Sequence, residues 1–106
     1  MIVQLYGSIE GGGTKFVCAI GNEQLEIVEK AVFKTTTPEE TLKKVVQFFE
    51  GKRVSAIGMG MFGPLEQRVN HEKYGYITST PKQGWANIDV VSQLKEVLNV
   101  PIYFTT

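Results

Sequence analysis

Apolar and polar positions alternate along this chain in two rhythms, and the switches between them mark out its elements. Residues 2–6 and 16–20 are short apolar runs rich in β-branched and aromatic side chains. Both are too short and too closely punctuated for helices, so they read as buried strands. Residues 24–34 alternate with a period of two, placing Leu25, Ile27, Ala31 and Phe33 on one face and Glu26, Lys30 and Lys34 on the other. That suits a half-exposed or edge strand, whose lysines discourage pairing with a foreign edge. A glycine-rich turn and an Asn22-Glu23 turn join the three strands into an antiparallel meander.

The rhythm then lengthens. Thr37 is placed to cap a helix, Pro38 suits its first position, and Glu40 completes a Thr-x-x-Glu box. Leu42, Val45, Val46 and Phe49 recur at helical spacing and form one apolar stripe, Lys43 and Lys44 a solvated face, and Gly51 the end. Residues 54–59 are apolar almost throughout, which predicts a central strand covered on both sides. A helical crossover precedes it, so it runs parallel to a strand of the meander. Asn87 is read as the cap of a second helix with the stripe Val90, Val91, Leu94, Val97 and Leu98. Asn99 suits a left-handed exit and Pro101 a stop, after which residues 102–104 form a fifth strand. The predicted order is β-β-β-α-β-α-β, an α/β unit built on a mixed five-stranded sheet.

Composition narrows the classes. At 106 residues, with 42% hydrophobic and 21% charged residues, the chain is one soluble domain at most. Eleven basic and eleven acidic side chains cancel, so nothing in the charge favours nucleic acid or an anionic membrane. No apolar run reaches membrane-spanning length, and Met1 opening directly into a strand predicts no signal peptide. A single cysteine, Cys18, forms no disulfide within the chain and is expected to be a small core residue in a cytoplasmic protein.

The candidate chemistry gathers in Glu10-Gly11-Gly12-Gly13-Thr14-Lys15, between the first two strands. Three residues without a Cβ allow a positive φ and let another molecule approach the main chain. A hydroxyl, a cation and a carboxylate beside exposed amides suit a nucleotide phosphate with its magnesium. On turn chemistry alone two glycines between strands are first of all a hairpin turn, and the residues by themselves leave both readings open. A Walker A loop is excluded, because the order is Gly-Thr-Lys and a strand follows rather than a helix. Gly63-Pro64 ends the fourth strand where ligands gather in open α/β sheets, or is simply the exit of that strand. Trp85, beside the hydroxyls of residues 78–80, either lines a sugar pocket or plugs the core. His71, without a second ligand in view, reads as a solvated loop residue.

These motifs carry a resemblance. The element order, with an acid and Gly-Gly-Thr in the first turn, resembles the ribonuclease-H-like half-domain of the actin and hexokinase group of ATPases. Glu10-Gly11-Gly12-Gly13-Thr14-Lys15 resembles the Asp-x-Gly-Gly-Thr-Lys signature of the ROK sugar kinases, and Gly60-Met61-Phe62-Gly63-Pro64-Leu65 their second glycine motif. Tyr74-Gly75-Tyr76-Ile77-Thr78-Ser79-Thr80-Pro81-Lys82 and Gly84-Trp85-Ala86-Asn87 are similar to the fructokinase branch in particular. The resemblance implies an ATP-dependent kinase that phosphorylates a hexose, with Gly12, Gly13 and Thr14 against the ATP phosphates and Lys15 in support. It implies that Glu10 holds magnesium through water, at a position where the family usually has Asp and the fructokinase branch tolerates Glu. Gly63, Pro64, Thr80 and Pro81 would border the sugar. Thr106 would stand just before the catalytic Asp, where glucokinases of the family carry a sugar-binding Asn.

On that reading residues 1–106 are an N-terminal lobe. The catalytic Asp, the glutamate-histidine sugar motif, the cysteine-histidine zinc motif and the second lobe are expected outside it. The chain alone is then expected to lack catalysis, since phosphoryl transfer needs both lobes and a base. Its open surface predicts a homo-oligomer, or association through the face the missing lobe would cover. Two alternatives are a sugar-sensing, repressor-type domain and a vestigial lobe that binds a partner chain. The neutral charge, and a first strand that starts at once, argue against the repressor.

Overall fold

Backbone pairing settles the strands that side-chain patterning only outlines. The computed structural model describes residues 4–62, 65–78 and 84–105. The elements are β1 (Leu5–Gly11), β2 (Lys15–Asn22), β3 (Ile27–Lys34), α1 (Pro38–Phe49), β4 (Val54–Met61), α2 (Val90–Leu98) and β5 (Ile102–Thr105). They form one five-stranded sheet in the order β3-β2-β1-β4-β5. β2 pairs antiparallel with both β1 and β3, while β4 runs parallel to β1 and to β5, as the helical crossovers require.

β1 reaches further than the sequence suggests. Glu10 and Gly11, read as turn, are its last residues, because each pairs on both sides: Glu10 with Val17 and Gly60, Gly11 with Phe16 and Met61. Two ladders outweigh the poor strand propensity of glycine. β3 in turn starts three residues late. The Asn22 side chain accepts from the Gln24 and Glu26 amides, both at 3.0 Å, and so keeps residues 22–26 in a turn. Leu25 there has φ 64° and is exposed rather than on an inner face, and Ile27 is exposed too.

Both helices pack on one face of the sheet. Ile9, Phe16, Cys18, Ile57 and Met59 point into that core, together with Leu42, Val45 and Phe49 of α1 and Val90, Val91 and Leu94 of α2. Among the described residues nothing covers the opposite face, where Val32 and Tyr103 are exposed and open space stands where a Cβ of Gly58 or Gly60 would be. β4 is therefore central, as expected, but covered on one side only. Its residues on the second face are largely glycine and serine, which the count of apolar residues conceals.

Helix ends follow their caps. Thr37 Oγ1 accepts from the Glu40 amide at 3.2 Å, and its hydroxyl meets the Glu40 carboxylate at 3.2 Å. α2 is capped by Asp89, which accepts from the Ser92 amide at 3.2 Å, and not by Asn87. Asn87 is drawn away because its amide donates to Ile77 O at 2.6 Å, in a short bridge that also pairs Tyr76 with Asp89. Asn99 takes the left-handed exit at φ 54°. Val97, assigned to the stripe, is exposed. Trp85 is fully buried against Phe16 and Phe62, and its indole N–H donates to Thr36 O at 2.9 Å, so it plugs the core. Cys18 is equally buried, which pushes its thiol up to about 12 and leaves it inert at neutral pH.

The two faces of α2 give a direct check. Leu94→Ala should lower the free energy of unfolding by about 2–5 kcal/mol. Val97→Ala should stay within about 0.5 kcal/mol of the parent, both measured by urea denaturation.

Candidate functional site

The site is built at the edge where β1, β2 and β4 end together. Gly12 closes the β1–β2 connection by donating its amide to Lys15 O at 2.9 Å. The Gly11 carbonyl accepts from the Phe62 amide at 2.7 Å, just beyond the end of β4. The Gly12 carbonyl accepts from the Thr35 hydroxyl at 2.7 Å, and the Thr14 carbonyl from the Thr35 amide at 2.9 Å. The carbonyls are thus turned inward. Among the described residues, nothing accepts from the Gly13 and Thr14 amides, which leaves them as donors to solvent.

The glycines do different work from that expected. None of Gly11, Gly12 and Gly13 has a positive φ. Gly11 is required by packing, since a Cβ there would press on the Met61 sulfur and sit 2.8 Å from the Phe16 ring. Gly13 has open space in front of it. Its lack of a side chain bares the main chain to whatever fills that space.

Glu10, Gly12, Lys15, Val17 and Gly60 line a cleft of about 420 Å³ on the uncovered face. It continues past Glu10 and Gly60 into a trough of about 550 Å³ bounded by Ser8, Gly58 and Tyr103. Lys15 is the register partner of Lys34 across β2 and β3, and neither is in an ion pair among the described residues. Two like charges side by side repel, a cost that a bound polyanion would relieve. Glu10 is exposed, and no group of three metal-binding side chains exists among the described residues. A single carboxylate of this kind fits magnesium held mostly by water and phosphate oxygens, not a caged ion.

Of the residues expected to act, Glu10, Gly12, Gly13, Thr14 and Lys15 come together at this edge, with the Gly12 amide spent inside the turn. Gly63, Pro64, Thr80, Pro81 and Thr106 lie outside the described residues. Their neighbours are placed: Phe62 packs against Trp85, Leu65 bridges to Ile77, and Thr105 pairs with Gly60. Thr35 was legible only as part of a helix start; its bonds to residues 12 and 14 span some twenty positions that no local pattern relates.

The 65–78 loop is held by charge. Arg68 grips Glu66 in bidentate fashion at 2.7 and 2.8 Å and donates its own amide at 3.0 Å. These bonds bring the Glu66 carboxyl down to about 2. His71 accepts from the Lys73 amide at 3.1 Å through Nδ1 and lies 3.9 Å from Glu66. It is a loop residue, and no metal-binding group of side chains surrounds it among the described residues.

A glycine turn beside a carboxylate and two lysines without an ion pair among the described residues, at the edge of a mixed five-stranded sheet with two helices, defines an α/β domain with one candidate site. Comparison with known proteins makes it specific. Residues 6–106 match the ROK family, and the chain belongs to that family. A fructokinase of Lactococcus lactis subsp. cremoris is 59% identical over 101 residues, covering 95% of this chain and 35% of that protein. The chain thus spans about a third of the length of the curated relatives it matches. A ROK family protein from Streptococcus pneumoniae, solved with sucrose, superposes with a TM-score of 0.78 at 18% identity, over 96% of this chain and 34% of that one. A ROK family glucokinase from Streptomyces griseus, solved with glucose and AMPPNP, superposes with a TM-score of 0.73 at 19% identity, over 97% and 32%. The expected fold class, a half-domain of the ribonuclease-H-like, actin and hexokinase type, is the fold found here. No helix among the described residues is long and apolar enough to cross a membrane.

The loop supplies a pH prediction. The folded pKa of Glu66 is depressed, so its contribution to stability is full above the ordinary glutamate value and is lost as pH falls towards about 2. Arg68→Gln should move the carboxyl midpoint, followed by NMR, up towards the ordinary value of about 4.3.

Proposed function

We propose that this chain is the N-terminal lobe of an ATP-dependent hexose kinase of the fructokinase type, working in the cytoplasm. The single observation that carries the reading is the pair of amides at Gly13 and Thr14 that nothing among the described residues accepts from, in the turn between Gly12 and Lys15, which line one cleft with Glu10. The identity with fructokinases supports the sugar, and the AMPPNP held by the glucokinase of the same fold supports the nucleotide.

In this reading the Gly13 and Thr14 amides and the Thr14 hydroxyl bind phosphate oxygens of ATP. Gly12 keeps that approach free of side chains. Lys15, with Lys34 beside it, offsets the charge of the phosphate tail, and Glu10 orients the waters of its magnesium, which when bound neutralises developing charge. Gly63, Pro64, Thr80 and Pro81 border the sugar, and Thr106 lies next to the proton acceptor. We place that base and the opposite wall of the nucleotide site in the length of the relatives that this chain does not span. Without the base about 10²–10⁴ in rate is lost, so the 106 residues alone are not expected to turn over.

Two measurements test this. In the full-length protein, ATP-dependent phosphorylation of fructose should exceed that of glucose in kcat/KM by at least about tenfold, the low end of what pocket contacts deliver. Equal turnover of both sugars would remove the fructokinase assignment, and no turnover of either would remove the kinase. Gly13→Ala should leave the unfolding midpoint nearly unchanged yet raise KM for ATP, because its methyl enters the space in front of the amides. Gly11→Ala should instead cost about 1–3 kcal/mol of stability by overpacking.

A further inference from the structure

We propose that Thr35 is a positioning residue that locks the Gly12–Gly13 peptide plane with its N–H turned outward, away from Thr35. The inference rests on the kinase reading for its consequence, but its geometry is independent of it. Thr35 lies between β3 and α1, in no regular element, and is 6% exposed. Its hydroxyl donates to the Gly12 carbonyl at 2.7 Å and its amide to the Thr14 carbonyl at 2.9 Å.

A trans peptide is planar, and its C=O and N–H point in opposite directions. Drawing the Gly12 oxygen inward therefore aims the Gly13 N–H outward. In a closed hairpin turn the Lys15 amide would donate to that oxygen; here the Thr35 hydroxyl takes the place of that bond. The substitution matters because Gly12 and Gly13 flank the plane. With no Cβ on either side, little but a hydrogen bond opposes rotation of the whole peptide. Rotated, it would present an oxygen where the turn now offers a donor, and a phosphate would meet repulsion instead of a hydrogen bond.

Thr35 is itself well anchored. The next residue, Thr36, donates its amide to the fully buried Thr41 hydroxyl at 2.9 Å and accepts from the Trp85 indole at 2.9 Å. The start of α1, the Trp85 plug and the glycine turn are thus joined through two consecutive threonines. A serine in place of Thr35 keeps the hydroxyl, while a valine keeps the shape and the amide and loses the hydroxyl alone.

The test compares Thr35→Val and Thr35→Ser in the full-length protein by two readouts. In steady-state kinetics, Thr35→Val should raise KM for ATP roughly five- to tenfold, the worth of about one hydrogen bond, with KM for fructose unchanged. Thr35→Ser should stay within about twofold of the parent. In the ligand-free protein, the Gly13 amide signal in 15N NMR should shift and split or broaden in Thr35→Val and stay in place in Thr35→Ser. A Thr35→Val protein that merely melts earlier, with Gly13 and KM for ATP unmoved, would overturn the proposal. Equal effects of both variants would do the same, since the hydroxyl would then not be the cause. If the parent protein transfers no phosphate at all, the kinase reading fails while the Gly13 signal still decides the role of Thr35.

Discussion

β1 is paired along both edges, antiparallel to β2 and parallel to β4, and this double pairing is the constraint on which the site depends. A strand with two neighbours has almost no backbone freedom, so its last residues are fixed where an isolated hairpin would fray. Glu10 and Gly11 inherit that rigidity. The turn that follows starts from a fixed position, and the Phe62 amide pins it again through the Gly11 carbonyl at 2.7 Å. Two chain segments some fifty residues apart therefore meet in register at one edge.

One-sided burial is the second consequence of the same sheet. The helices and Trp85 fill one face densely, with Ile9, Phe16, Ile57 and Trp85 fully buried. Around β1 and β4 the other face carries Ser8, Glu10, Gly58 and Gly60, side chains too short or too polar to form a core. The cleft and trough lie on this second face, so packing and chemistry are separated by the thickness of the sheet. A carboxylate can stay exposed there without any desolvation penalty. The separation also explains Cys18, whose thiol is buried on the packed face, away from the cleft.

The threonines between β3 and α1 connect the two faces. Thr37 caps the helix, the exposed Thr36 donates its amide to the buried Thr41 hydroxyl, and Thr35 reaches the turn. Such short polar side chains bond to nearby backbone in preference to helix or strand. A run of them at a helix start supplies both the cap and a tether to another element. This arrangement stands in a chain of the ROK family that spans about a third of the length of its curated relatives.

Much of this was legible in the residues themselves. Period-two and helical spacing gave the element order and most of the core, because which side of a strand or helix is apolar depends only on local repeat geometry. The glycine turn, Thr37 and Asn99 were legible for the same reason: each answers a local need of the backbone. Errors fell where distant pairing overrules local preference. Glu10 and Gly11 became strand through β4, Asn87 was drawn from its cap by Ile77, and β4 proved bare on one face because no described residue covers Gly58. Tertiary structure alone decided which way the turn's peptides face, since a carbonyl's direction is set by the donor it meets, and Thr35 stands more than twenty residues further along the chain.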